Sequence, residues 1–250
     1  MAIPQIRDPS IRYLETAQAY DLWANVYDTD GNFLQALDSI QMKHWLPRML
    51  TRLDSDRRPR PWNVVDLGCG TGRNTAALVE VADLKVIGLD VSPGMLTVAR
   101  ERLKDVVASG RLKLDVLDLI EQPVPASLDN WADAIVSTLV IEHIPADRFF
   151  RQASRMLKPG GFLLLTNMHS EMGGISQAGF VDPSTGEKIR PASYAHTIQD
   201  VEAKAAEYGL EVVDAIEEVS VEPGMVTRLG ERSAKWVGVK VWFGGILRKK

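Results

Sequence analysis

The feature that most narrows what this chain can fold into is the segment Val64-Val65-Asp66-Leu67-Gly68-Cys69-Gly70-Thr71-Gly72-Arg73-Asn74-Thr75. An apolar run suited to a buried strand enters a turn with glycine at 68, 70 and 72, then leaves it in a helical pattern. Glycine lets the backbone turn sharply and approach a ligand with no Cβ in the way. The N–H groups that open the following helix favour a negatively charged group. The spacing is G-x-G-x-G behind an acidic residue. A dinucleotide fingerprint would read G-x-G-x-x-G, and a P-loop would carry Gly-Lys-Ser/Thr.

The turn sits inside a longer alternation. Between about residues 63 and 167, short β-rich runs alternate with helical patterns, which predicts βαβ units and a mostly parallel sheet. Strands are expected over 63–67, 85–90, 111–116, 134–138 and 162–167, with 211–219 and 236–247 completing the sheet. Ser92-Pro93 starts a helix that runs to about 103, with a side-chain oxygen at the N-cap and proline where its missing N–H costs nothing. Another starts near Pro145 and stops before Lys158-Pro159-Gly160-Gly161. Thr197-Ile198-Gln199-Asp200 can cap a further helix that closes at Gly209. Residues 1–56 lie outside the alternation and carry helical patterns over 13–27 and 33–53, so they are expected to form a helical lid on a domain spanning 57–250. A second departure, 169–196, contains Met172-Gly173-Gly174 and the turn Asp182-Pro183-Ser184-Thr185-Gly186, and reads as a small insertion with a hairpin. Loops beyond the C-terminal ends of strands are where open α/β sheets hold their ligands.

The acid-and-glycine turn resembles that of class I S-adenosylmethionine (SAM)-dependent methyltransferases acting on small molecules, and the following elements resemble the same family in order over about 60–168. The resemblance implies an α/β, Rossmann-like fold: seven mostly parallel strands, helices on both faces, an N-terminal lid and a small insertion after the fifth strand. It places Gly68, Cys69, Gly70, Thr71, Gly72 and Asn74 around the methionyl part of SAM, with Asp66 opposite its ammonium. Asp90, ending the second strand, is implied to accept both ribose hydroxyls, with Val91 and Met95 in the same cofactor set. Asp118 matches the position that accepts from the adenine amino group, next to Leu119, and Asp115 is the competing choice. Ser137, Thr138 and Leu139 open a motif that runs under the methionyl chain to the acceptor pocket, while Arg155 to Phe162 matches a mainly structural motif. Ahead of the core, the stretch from Ala19 to Asp28 resembles the family's Tyr-Asp segment and brings in Tyr20, Trp23 and Tyr27. Tyr20 and Tyr27 are two helical turns apart, so they can share a face and close over the cofactor, or simply pack on the core. Tyr194-Ala195-His196 falls in the acceptor-side region of such enzymes.

Composition limits the alternatives. The 250 residues carry a formal net charge of −4 and a single cysteine. That charge lacks the basic footprint of a nucleic-acid binder, and Arg57-Arg58-Pro59-Arg60 and Arg248-Lys249-Lys250 read as a solvated loop and end. One cysteine forms no internal disulfide and no cysteine-rich zinc site, and no His/Cys/carboxylate cluster has metal-ligand spacing. No apolar stretch approaches the roughly 20 residues that span a bilayer, and the opening residues do not read as a secretion signal. A cytoplasmic monomer or homodimer is expected.

If the acceptor is a hydroxyl, its proton must leave, and histidine is the usual base near neutral pH. His143, His169 and His196 are the candidates, with His169 favoured because it follows the fifth strand; each can instead be a packing or hydrogen-bonding residue. His44 reads as a surface residue, and Cys69 as a small residue in the turn rather than a nucleophile. The expected activity, of a kind used in secondary metabolism, is transfer of the SAM methyl group to a hydroxyl or carboxyl oxygen of a small molecule, leaving S-adenosylhomocysteine. The alternatives are a SAM-binding enzyme with a different reaction and a non-catalytic methyltransferase-like subunit.

Overall fold

The computed structural model describes residue 8 and residues 10–250; residues 1–7 and Pro9 of the expected lid lie outside it. In chain order, β1 (Ile11–Tyr13), α1 (Thr16–Trp23) and α2 (Phe33–Ser55) come first. The alternating core follows: β2 (Trp62–Leu67), α3 (Arg73–Val79), β3 (Leu84–Asp90), α4 (Pro93–Arg102), α5 (Lys104–Ala108), β4 (Leu112–Val116), β5 (Ala132–Thr138), α6 (Ala146–Met156) and β6 (Leu157–Met168). The remainder is α7 (Ser170–Ile175), β7 (Phe180–Val181), β8 (Lys188–Arg190), α8 (Ile198–Glu207), β9 (Leu210–Val212), β10 (Glu217–Ser220), α9 (Val226–Leu229) and β11 (Lys240–Lys249).

The main sheet runs β10-β11-β6-β5-β2-β3-β4, with β9 also on β11. Strands β2 to β6 pair in parallel, and β11 enters antiparallel to β6. Successive residues of a strand face opposite sides, and both sides are apolar here. Val64, Leu164 and Trp242 face a layer formed by α2, α3 and α4, whereas their neighbours Val65, Leu163 and Phe243 face α6 and α8. Helices therefore cover both faces, and the strand tips are left for the site.

Four expected boundaries shift, the first being the fifth strand, expected over 162–167, which as β6 already begins at Leu157. The 211–219 strand is broken into β9 and β10, so eight strands occupy seven ranks. Asp214, in the break, pairs with Arg48 and Arg52 of α2, which draws the chain off the ladder. The 236–247 strand begins only at Lys240, because residues 231–236 form a 3-10 turn and Gly238 takes a positive φ of 86° before the strand. The helix expected over 13–27 is confined to α1. Tyr13 lies in β1, which pairs in parallel with β8, itself antiparallel to β7.

This second, three-stranded sheet joins the N-terminal segment to the 169–196 insertion. Ala19, Trp23, Met95, Phe180 and Ile189 form a small core beneath it. Carboxylates tie the N-terminal segment to the main domain, Asp21 and Asp38 among them. Asp21 accepts from Ser92 Oγ and from Gly94 N (2.8 Å) at the start of α4. Asp38, wholly buried, takes Arg73 Nη2 (2.7 Å), Thr166 Oγ1 (2.6 Å) and Trp242 Nε1 (3.0 Å), a donor set that offsets the cost of burying its charge. Among the described residues, no helix is long and apolar enough to cross a membrane.

Candidate active site

A cavity of about 390 Å³ opens where β2, β3 and β5 end. Its floor is the glycine turn. Gly68 has φ +77°, and a Cβ there would collide with Val140, so the turn and the loop after β5 meet with no room for a side chain. Gly70 has φ +52° and lines the cavity, with open space where a Cβ would stand. That opening is a cradle in which a ligand can lie against backbone.

Asp90 lies at the tip of β3. Its Oδ2 accepts from Gly70 N (2.8 Å) and its Oδ1 from Ser92 N (2.9 Å); burial raises its pKa, partly countered by these amides. Beyond β4, Asp118 lines the cavity while its Oδ1 accepts from Ile120 N (2.8 Å) and Glu121 N (3.2 Å). Asp115 is instead paired with Lys113 outside the cavity. Val91, Met95 and Leu119 supply apolar walls, Thr138 a polar one at the end of β5, and Leu139 follows it into the cavity wall. Leu139 adopts φ +57°, held by its N–H on Thr166 O (2.9 Å), a left-handed conformation that costs a non-glycine residue about 1–2 kcal/mol.

Tyr20 and Tyr27 form the roof, their ring centroids 6.0 Å apart although α1 ends between them. Tyr20 Oη is 2.8 Å from His143 Nε2, and His143 Nδ1 is 2.7 Å from the carbonyl of Ala192. A carbonyl only accepts, so Nδ1 carries the hydrogen and Nε2 accepts from the Tyr20 hydroxyl. Glu142 Oε1 lies 3.5 Å from the same Nε2. Burial pushes the Tyr20 phenol well above its ordinary value, which keeps it a donor.

A second, smaller cavity of about 90 Å³ adjoins the first, and Tyr20, Tyr27 and Leu139 line both. Its other walls come from Trp23, from the start of α2, from 168–179 and from the 3-10 turn before β11.

Several residues expected in the site stand behind it instead. Asp66 takes the hydroxyl of Thr75 (2.5 Å) and does not line the cavity; burial lifts its pKa to about 6. Cys69 packs its sulfur against Gly88, and burial pushes the thiol up, which fits a spacer and not a nucleophile. Thr71 donates to Asp28, Gly72 packs on Ala99 and Leu103, Asn74 donates to Thr138 Oγ1 (2.7 Å), and Ser137 donates to Leu67 O (2.9 Å). Trp23 belongs to the second cavity only, with its Nε1 on Asp30.

Two of the candidate bases lie outside both cavities. His169 accepts from Glu171 N at Nδ1, capping α7, and its Nε2 meets Glu218 (2.8 Å). His196 donates from Nε2 to the carbonyls of Ile144 (2.9 Å) and Ile141 (3.1 Å), and stacks on Tyr194. Only His143 reaches the site.

Sequence reasoning missed Glu142, Arg232, Lys235 and Trp236, which line the second cavity, and the anchoring roles of Asp21 and Asp28. A signal for the last two was present. The dipeptide Tyr-Asp occurs at 20–21 and again at 27–28, with each tyrosine on the cavity and each aspartate on the core.

The residues present fit SAM. The cavity offers a strand-tip carboxylate for a ribose, a second carboxylate beside apolar walls for an adenine, a backbone cradle at Gly70, and tyrosine rings that attract a sulfonium. Among the described residues, no group of three or more His, Cys, Asp or Glu side chains could hold a metal ion.

Comparison with known proteins agrees. A methyltransferase-domain family model matches residues 65–165. An uncharacterised methyltransferase of Emericella nidulans is 50% identical over 94% of this chain and 91% of its own length. Among solved structures, the geranyl diphosphate C-methyltransferase of Streptomyces coelicolor, in complex with S-adenosyl-L-homocysteine, superposes with a TM-score of 0.60 at 15% identity, covering 86% of this chain and 80% of that one. The [4+2]-cyclase SpnF superposes with a TM-score of 0.62 at 20% identity, covering 93% and 94%. The fold is thus shared by proteins with different reactions, but the half-identical relative and the matched domain are specific, and the chain belongs to the class I SAM-dependent methyltransferases.

Proposed function

We propose that this methyltransferase acts on a hydroxyl or carboxyl oxygen of a small, partly apolar molecule seated in the second cavity. The observation that supports this reading is the shared wall of Tyr20, Tyr27 and Leu139, which sets the second cavity directly against the first. Of the expected 1–56 lid, the stretch from Glu15 through α1 to Tyr27 covers the cofactor, and 169–196 acts as the acceptor-side insertion.

Bound SAM supplies a methyl carbon attached to its own leaving group, so that S-adenosylhomocysteine departs with the bonding electron pair. Within this reading, Asp90 holds the ribose hydroxyls, Asp118 the adenine amino group, and Gly68 and Gly70 the methionyl backbone. The main demand on the protein is alignment, and orientation of two bound reactants contributes roughly 7–11 kcal/mol. For a hydroxyl acceptor, Tyr20 Oη takes the acceptor's proton as its own passes to His143 Nε2. The imidazolium that forms is stabilised by Glu142, 3.5 Å away. A carboxylate acceptor needs no base.

The test is incubation with methyl-labelled SAM and a metabolite extract, with S-adenosylhomocysteine measured alongside. Label in a small product, with an equal amount of S-adenosylhomocysteine, is expected. Tyr20→Phe should lower kcat about 10- to 100-fold on a hydroxyl acceptor while SAM affinity stays within threefold, as general-base contributions of about 10²–10⁴ allow. An altered product formed with no S-adenosylhomocysteine would replace methyl transfer by another reaction.

A further inference from the structure

The second cavity has two chemically different ends. At the inner end, Glu142 is tied through His143 to Tyr20, where the transferred methyl group would arrive. The outer end is cationic. Arg232 and Lys235, one turn apart in the 3-10 segment before β11, both line it, and neither forms an ion pair with any described carboxylate. Arg232 is already oriented, since its Nη1 donates to Asp30 O (2.7 Å), leaving its other donors to spare. Lys235 Nζ stands 5.3 Å from the centre of the Trp236 ring, a weak hold for an ammonium. The same wall includes Asn32, Phe33 and Leu34, the start of the 23-residue helix α2, whose dipole adds to the positive potential.

A third group looks for a partner. Gln177 lines the cavity, and its Oε1 is buried with no hydrogen bond. Buried amide oxygens are normally satisfied, so this one is suited to a donor on the ligand. Between the polar ends the walls are Trp23, Phe33, Met168, Met172 and Trp236.

Resting on the acceptor-site reading above, we propose that the acceptor is a small organic acid bearing one carboxylate remote from the oxygen that is methylated, and a hydroxyl or amino donor. Arg232 and Lys235 hold the carboxylate, Gln177 accepts from the donor, and the apolar walls hold the carbon frame. The charge balance selects one carboxylate over a dianionic phosphate. The two cations are opposed by Glu142 alone among the lining residues, which leaves a single positive charge for the ligand to neutralise. The volume of about 90 Å³ requires a small frame.

The experiment uses the full chain and an Emericella nidulans extract, from the organism of the half-identical relative. The extract is divided by anion exchange into retained and unretained metabolites, and each pool is incubated with methyl-labelled SAM. Label from the retained pool, undiminished by prior treatment of that pool with alkaline phosphatase, is the expected result. The labelled product then serves to identify the acceptor, for which Arg232→Gln with Lys235→Gln should raise KM tenfold or more while SAM affinity measured by calorimetry is unchanged. Label only from the unretained pool, or label lost after phosphatase, overturns the carboxylate assignment and leaves small-molecule methylation standing. Label from neither pool overturns both.

Discussion

The larger cavity, proposed to hold the cofactor, and the smaller, proposed to hold the acceptor, share three residues and draw their walls from the chain in different ways. The first is set by the glycine turn and by side chains at the tips of adjacent strands, and its walls, apart from the N-terminal roof, come from one continuous stretch between Leu67 and Ile144. The second is made of side chains from four distant places: the N-terminal segment, the loop after β5, the stretch 168–179 and the turn 232–236. A site hung on glycines at positive φ tolerates almost no change at those glycines. A side-chain site can be rebuilt one wall at a time without moving the cofactor, which lets one fold serve many acceptors.

That contrast can be broken by mutation. The largest effect is expected at Asp90, whose two oxygens already bind the Gly70 and Ser92 amides. Asp90→Asn replaces one of those acceptors with a donor facing an N–H, and SAM affinity by calorimetry should fall by about 100-fold or more, of the order expected when a buried charged hydrogen bond is lost. Retained affinity would show that the strand tip is not the cofactor's anchor.

Asp66 sharpens the comparison through pH. Burial raises this carboxyl to about 6, above its unfolded value, so its contribution to stability is full below about pH 4 and is lost as pH rises through 6. Relative to Asp66→Asn, which stays neutral and can still accept from Thr75, the wild type should lose on the order of 3 kcal/mol of stability between pH 4 and pH 7 in denaturant titrations. If Asp66 also meets the ammonium of SAM, saturating SAM should reduce that loss. A pH-independent difference would mean that the carboxyl is ionised throughout.

The smallest effect is expected at His169. His169→Asn keeps a cap acceptor for Glu171 N and loses the contact with Glu218 and the edge-on packing of the ring against Phe243. Turnover should stay within twofold, with a fall in Tm of a few degrees at most. A hundredfold loss of kcat with normal SAM affinity would move the base to this residue and redraw the acceptor compartment.

The two compartments were also unequally legible in the sequence. Gly68, Gly70, Asp90 and Asp118 stand at fixed offsets from strands whose period and punctuation are local, so reading along the chain finds them. Asp66 and Asn74 occur at equally recognisable offsets, but which side of the turn their side chains take is decided by Thr75 and Thr138. His169 was attractive because it follows a strand, yet Glu218, 49 positions away, decides where its ring goes. Arg232 and Lys235 lie in a stretch with no periodic pattern, and their place beside Asn32 follows only from the path of β11 back across the sheet. Even the break between β9 and β10 depends on two arginines of α2.

The pairing of β1 with β8 also has a consequence in time. Arg12 and Glu187, which bridge the two strands, are 175 positions apart, and only three residue pairs make up the ladder. Contacts of such long separation form slowly, after nearer ones have shortened the loop between them. The small sheet, whose core the tyrosine roof packs against, should therefore be the last part of the molecule to assemble and, with so few rungs, the first to open. Such local opening, costing much less than global unfolding, would admit and release ligands while the parallel sheet beneath stays intact.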